Sequence, residues 1–186
     1  MSSQKIPASE NIAYHATRLL ILIGHCGKPR TKPSILPSIG GRTLLAKLDF
    51  FMRYPFYLKS ASIKLGKTVT DDELGLSRSE DINTVESRMV RYLYGPWDSL
   101  YYVVIAYLIG KGLIQLEIRK NVDYFQLTSL GKDILNKIEN DESFSDLITR
   151  ADTVYHLFNS FNGSRLKSFI YEKFPEVVEH KIGEKI

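Results

Sequence analysis

A chain of 186 residues, 44% hydrophobic and 25% charged, has room for one domain with a sizeable core, and twelve glycines and seven prolines are too few for a collagenous or low-complexity protein. No apolar run approaches the roughly 18 residues of a membrane span. The polar start MSSQKIPASEN lacks secretory character, and the lone Cys26 permits no internal disulfide, so a soluble protein of a reducing cytoplasm is expected.

The net charge of +4 hides an asymmetry. Residues 1–67 hold 7 Lys and 4 Arg against Glu10 and Asp49, a balance of +9, and the remainder balances at −5. Such an excess suits a polyanion or an acidic protein surface; the competing reading is a solvated helix face.

In chain order, Ile12, Ala16, Leu19, Leu20 and Ile23 recur at helical spacing, which predicts a helix over 11–24 ended by Gly24. Residues 27–41, with three prolines and Lys28, Arg30 and Lys32, read as a basic loop. A second helix is expected over 42–54, with Asp49 four residues before Arg53 for a same-face ion pair, and Pro55 stops it. Residues 68–84 are polar, acidic and aperiodic, the pattern of a surface loop. Asp98 or Ser99 then caps a helix with Leu100, Val103, Val104, Tyr107 and Leu108 at helical spacing, closed by Gly110 and Gly112. Residues 113–119 and 124–127 read as strands joined by a polar turn at 120–123, and Thr128 caps a further helix carrying Leu130, Ile134, Leu135 and Ile138. Phe144, Leu147, Ile148, Ala151, Tyr155 and Phe158 make an apolar stripe, read as core or as a partner groove. Asn162 and Gly163 break it, and Ser164 caps a last short helix limited by Pro175.

Helix, two-stranded wing and helix, in the phrases LIGKGLI and YFQLTSLGKDIL, resemble the winged-helix fold. The expected class is mainly α with a small β-hairpin. Its parts are N-terminal helices and two loops (1–84), a winged-helix core (85–140) and a C-terminal helical extension (141–186), forming one compact unit.

Catalytic chemistry is missing from the pattern. His15, His25, His156 and His180 stand in no metal-binding spacing, His25 and Cys26 are neighbours rather than a nucleophile and an approaching base, and Gly40-Gly41-Arg42 lacks the signature of a phosphate loop. The acidic groups Asp71, Asp72, Glu73 and Asp141, Glu142 sit in polar loops. No enzyme, cofactor or metal is expected.

A winged helix reads DNA or packs on proteins. A groove-reading helix needs hydrogen-bonding side chains on its outer face, whereas LYYVVIAYLI (100–109) offers tyrosines outward and no positive charge before Lys111. Phosphate contact by Lys28, Arg30, Lys32, Arg42, Arg119 or Lys120 stays open, because it needs only positive charge. In RYLYGPWD, Tyr92, Tyr94 and Trp97 lie beside Arg91 and a Gly95-Pro96 turn. With Tyr101 and Tyr102 they form the candidate partner interface; the alternative for Trp97 is a seal on the core. Lys47, Asp49 and Arg53 divide likewise between an internal ion pair and a binding face.

The strings LLAKLDFFMRYP (44–55), ESRMVRYLYGPWDSLYY (86–102), the hairpin and GSRLKSFIYEKFPEV (163–177) together resemble the middle component of bacterial ABC-three-component defence systems, of the Lamassu type. That resemblance implies a non-enzymatic subunit joining an SMC-like ABC ATPase to an effector, commonly a nuclease, in anti-phage or anti-plasmid defence. Double-stranded DNA bound without sequence specificity is a further expected partner on the ground of the basic excess, and no membrane is expected. A winged-helix transcriptional regulator is the alternative.

Overall fold

A computed structural model describes residues 11–29, 35–76, 82–83 and 88–186. Arg30 and Lys32 lie outside the described residues. The protein is mainly helical, with eight α-helices and two small antiparallel sheets among the described residues. No helix among them is long and apolar enough to cross a membrane.

Helix α1 (Ile12–Cys26) starts at Asn11, whose side chain accepts from the Tyr14 amide at 3.1 Å, as an N-cap should. It runs past Gly24 because that glycine is not a stop: a Cβ there would collide with Leu135. Its role is close packing between helices. The segment expected as a basic loop contributes two short strands, β1 (Lys28–Pro29) and β2 (Pro37–Gly40).

Helix α2 (Arg42–Arg53) ends before Pro55 as expected, but the proline also opens α3 (Pro55–Lys64), since its fixed φ suits a first helical turn. Residues 69–76 hold no helix or strand and expose 70–73, as expected of a surface loop, but the loop is anchored to the core. Thr70 and Glu73 exchange hydrogen bonds in a capping-box pattern (2.8 and 3.2 Å), and Leu74 is fully buried. Buried Arg150 donates to the carbonyls of Leu74 and Gly75, both at 2.7 Å, and of Met52 at 3.1 Å. Apolar anchoring and a guanidinium override the local polarity.

The RYLYGPWD stretch is a hairpin of β3 (Val90–Tyr92) and β4 (Gly95–Trp97). Helix α4 (Tyr101–Gly110) leads into the hairpin β5 (Ile114–Arg119) and β6 (Val122–Leu127). Its turn is only Lys120-Asn121, both at positive φ (47° and 60°), which matches the right-handed twist of the strands and lets β6 begin earlier than expected. Strand β2 pairs with β6, so the sheet order is β1-β2-β6-β5.

Thr128 caps α5 (Ser129–Glu139), accepting from the Gly131 amide at 2.9 Å while its hydroxyl donates to the Gly112 carbonyl at 2.6 Å. Gly131 is needed because a Cβ would strike the Leu113 carbonyl. After a 3-10 turn (Glu142–Phe144) come α6 (Ser145–Phe158), α7 (Gly163–Lys173) and α8 (Pro175–Glu179). The cap of α7 is Asn162, which accepts from Arg165 at 2.8 Å, rather than Ser164.

The core centres on α2, where all nine residues from 45 to 53 are buried. It packs against α1, α3, α6, α7, β2 and β4. The α6 stripe faces this core through Leu147, Ala151 and Phe158, and Phe158 stacks on Phe51 at 4.5 Å.

Candidate functional site

Burying every face of α2 takes its charged residues inside. Asp49, fully buried, accepts from Arg18 (2.7 and 3.3 Å), from Arg53 (2.8 Å) and from the Tyr101 hydroxyl (2.7 Å). Arg53 also donates to Asp98 at 2.6 Å, and Asp98 receives the Leu100 amide at 2.9 Å. Two cations and two anions thus balance in a cluster joining α1, α2 and the start of α4. Burial pushes the Asp49 carboxyl up, but the guanidiniums of Arg18 and Arg53, with hydrogen bonds from Arg18 and Tyr101, outweigh it and hold the group well below the usual carboxylate range. The same burial, with the Asp49 charge, lifts the Tyr101 phenol well above its ordinary value. For Asp49 and Arg53 the internal ion pair is therefore the structure's answer.

This placement corrects one expected interface residue. Tyr101 is 3% exposed and belongs to the core, because helical geometry turns it toward Asp49 while its neighbour Tyr102 points out at 61%. The outer side of α4 is completed by Val103, Ala106, Tyr107 and Ile109, all exposed. No charged side chain occurs from 101 to 110. Such a face offers water no side-chain hydrogen-bonding partner except two phenols.

Tyr92 and Tyr94 are also exposed, and Trp97 is half-buried. The Trp97 ring meets Tyr101 at 5.0 Å, Tyr102 at 5.9 Å and Tyr92 at 6.3 Å, so it links core and rim. Tyr92, Tyr94, Trp97 and Tyr102 line one cavity together with Arg42 and Lys47.

The basic candidates do not converge. Arg42 is paired with Asp123 and its guanidinium lies 5.8 Å from the Tyr102 ring centre; Arg119 is paired with Glu117. Lys120 sits exposed at the hairpin turn, and Lys28 is exposed on β1, opposite Ser38.

A larger cavity of about 290 Å³ lies between β2 and α6, lined by Cys26, Ser38, Leu48, Tyr124 and Phe158 among others. Burial, with the Asp152 charge, pushes the Cys26 thiol up. Among the described residues no group of three His, Cys, Asp or Glu is placed to hold a metal ion.

Arg18 was not anticipated; a single arginine inside the apolar run ATRLLILI was the available signal. Lys47 takes the internal alternative, but among the described residues without the ion pair that went with it. Comparison with protein-family models, with characterised proteins and with solved structures gives no match.

Proposed function

We propose that the chain is a non-catalytic winged-helix adaptor, the middle subunit of a defence complex that bridges an SMC-like ABC ATPase and an effector nuclease. The element order supports the winged-helix part: α1, β2, α2, α4, then the β5-β6 hairpin with β2 added to its edge, then α5. Residues 54–100 form an elaboration between the second and third helices of that order.

The observation that carries the adaptor reading is α4 itself. It occupies the place of a groove-reading helix, yet its exposed side presents Tyr102, Val103 and Tyr107 instead of donors and acceptors for base edges. Protein contact fits this chemistry, because aromatic rings supply interface area at low entropic cost. Any DNA contact is to phosphates: of the exposed candidate cations among the described residues, Arg42 and Arg119 are engaged by Asp123 and Glu117, and Lys28 and Lys120 stand outside those pairs.

Affinity purification of the tagged chain expressed with its native gene neighbours tests the adaptor reading. An ATPase and an effector should co-elute, and Val103→Glu with Tyr107→Glu should release them. A chain that elutes alone and shifts a single promoter fragment overturns the adaptor and establishes the regulator. DNA affinity of the assembly should be indifferent to sequence, with a log–log salt slope of about −0.9 per phosphate contact.

A further inference from the structure

The β3-β4 hairpin, the first turns of α2 and the N-terminal end of α4 surround a cavity of about 170 Å³, whose walls include Tyr94, Trp97 and Tyr102 and whose lining includes Lys47. Lys47 is 1% exposed, although an ammonium group carries three donors and resists leaving water. Its one hydrogen bond, 3.4 Å long, goes to the Thr43 carbonyl of its own helix. The other buried cations are served differently. Arg18 and Arg53 face carboxylates, and Arg150 holds three carbonyls. Among the described residues Lys47 has no carboxylate within ion-pair distance. Gly95, at φ 105°, carries the hairpin turn over the lysine stem, where a Cβ would lie 4.0 Å from Lys47 Cε and 3.6 Å from Tyr171.

The geometry points to a ligand site in which Lys47 Nζ receives a carboxylate and the acid's apolar or aromatic body lies against Tyr94, Trp97 and Tyr102. Buried charges are ordinarily paired, and Lys47 is part of the lining of a cavity with aromatic walls that could hold a counter-charge. Within the lining the charge count favours a monoanion: Arg42 is already held by Asp123, and Lys167, the further cation near Lys47, stands outside the lining over the rings of Tyr94 and Tyr171. A phosphate monoester carries more charge and needs more donors than these walls supply. The cavity admits a group the size of one ring or one side chain. Carboxylates of this kind come from a free acid or from an acidic residue beside an apolar one on a polypeptide. Capture at Lys47 requires neither the ATPase nor the effector.

Among the described residues the charged and titratable groups around this cavity and Lys47 are Arg42 of α2, Tyr92 and Tyr94 of the hairpin and Tyr102 of α4 in the lining, with Lys167 of α7 close enough to act on the amine and Tyr171 beside Gly95. Burial first, and then the Lys167 charge, bring the Lys47 amine down to about 7. An anion restores the ammonium form. Binding above pH 7 therefore takes up a proton, and affinity falls as pH rises.

Phenylacetate, its neutral amide, phenyl phosphate and the blocked peptide acetyl-Glu-Phe-amide, titrated into the full chain by calorimetry and by the Trp97 indole NMR signal, test the site. Saturable binding of phenylacetate or the peptide is expected, at least about ten-fold tighter than the amide and weaker at pH 9 than at pH 7. Lys47→Met, which keeps an unbranched stem to the Cε position without the amine, should fold and lose that binding, and Tyr102→Ala at the exposed rim should weaken it. A tighter peptide assigns the pocket to a partner chain; a tighter free acid assigns it to a small molecule. Equal binding of the amide, retention by Lys47→Met, preference for phenyl phosphate, or no saturation with any carboxylate each overturns the assignment.

Discussion

Tyr101 and Tyr102 are adjacent in sequence and opposite in situation, which makes Tyr101→Phe a sharp test of the buried cluster. The change removes one oxygen, keeps the ring against Trp97, and deletes the 2.7 Å hydrogen bond to Asp49. A hydrogen bond to a charged group contributes about 1.5–3 kcal/mol. Asp49 keeps both guanidiniums, so its charge is not orphaned, and a loss near the middle of that range, about 2 kcal/mol, is expected. Tyr102→Phe loses a hydroxyl from an exposed side chain and should stay within about 0.5 kcal/mol of the parent. Urea unfolding followed by circular dichroism reads both. With a slope of about 2 kcal/mol per molar, the Tyr101→Phe midpoint should fall by about 1 M with the slope unchanged. A Tyr101→Phe midpoint at the parent value, or equal losses for the two variants, would refute the cluster as a stabilising element.

Acid titration probes the same cluster: because the Asp49 carboxyl lies below its unfolded value, its contribution is present above about pH 4 and is lost as pH falls below that, so Asp49→Asn should flatten the acid limb of a stability–pH curve. Lys47 gives the same direction of pH dependence for the opposite reason, since burial penalises its charged form where the guanidiniums favour that of Asp49. The lysine's folded value of about 7 lies below the unfolded value of about 10.4, the unfolded chain binds more protons between them, and parent stability should rise across that interval. Lys47→Met should therefore be the more stable protein at pH 7 and converge on the parent near pH 10, in paired melts. Gly131→Ala should destabilise by about 2 kcal/mol or more despite alanine's advantage of about 1 kcal/mol in a helix, because the Leu113 carbonyl occupies the Cβ position; a stabilised variant in chemical denaturation would contradict this. Arg150→Met should cost about 3 kcal/mol and speed proteolysis within 69–76, since it strips donors from the Leu74, Gly75 and Met52 carbonyls.

Local order was largely legible in the sequence. Asn11 and Thr128 cap helices through short side chains, Pro55 ends one helix, and the alternation around Lys120-Asn121 makes a hairpin, because each depends on residues within a few positions of one another. The charge-free outer face of α4 was readable for the same reason: a ten-residue run without charge has a bare surface whichever way it turns. The rotation of that helix was not readable, since Tyr101 and Tyr102 differ only in which one meets Asp49, 52 residues earlier in the chain.

The fate of α2 belongs to the tertiary structure alone. Its sequence is amphipathic and leaves Lys47, Asp49 and Arg53 divided between an internal ion pair and a binding face; β4 and α7 cover the side that a two-layer packing would leave wet. Coverage from distant segments placed the Asp49–Arg53 pair in a buried four-charge cluster and left Lys47 against a cavity instead of solvent. Composition and periodicity determine which residues form each element and which face is apolar. How much of a helix is buried depends on what the rest of the chain lays over it, and long-range packing alone decides that.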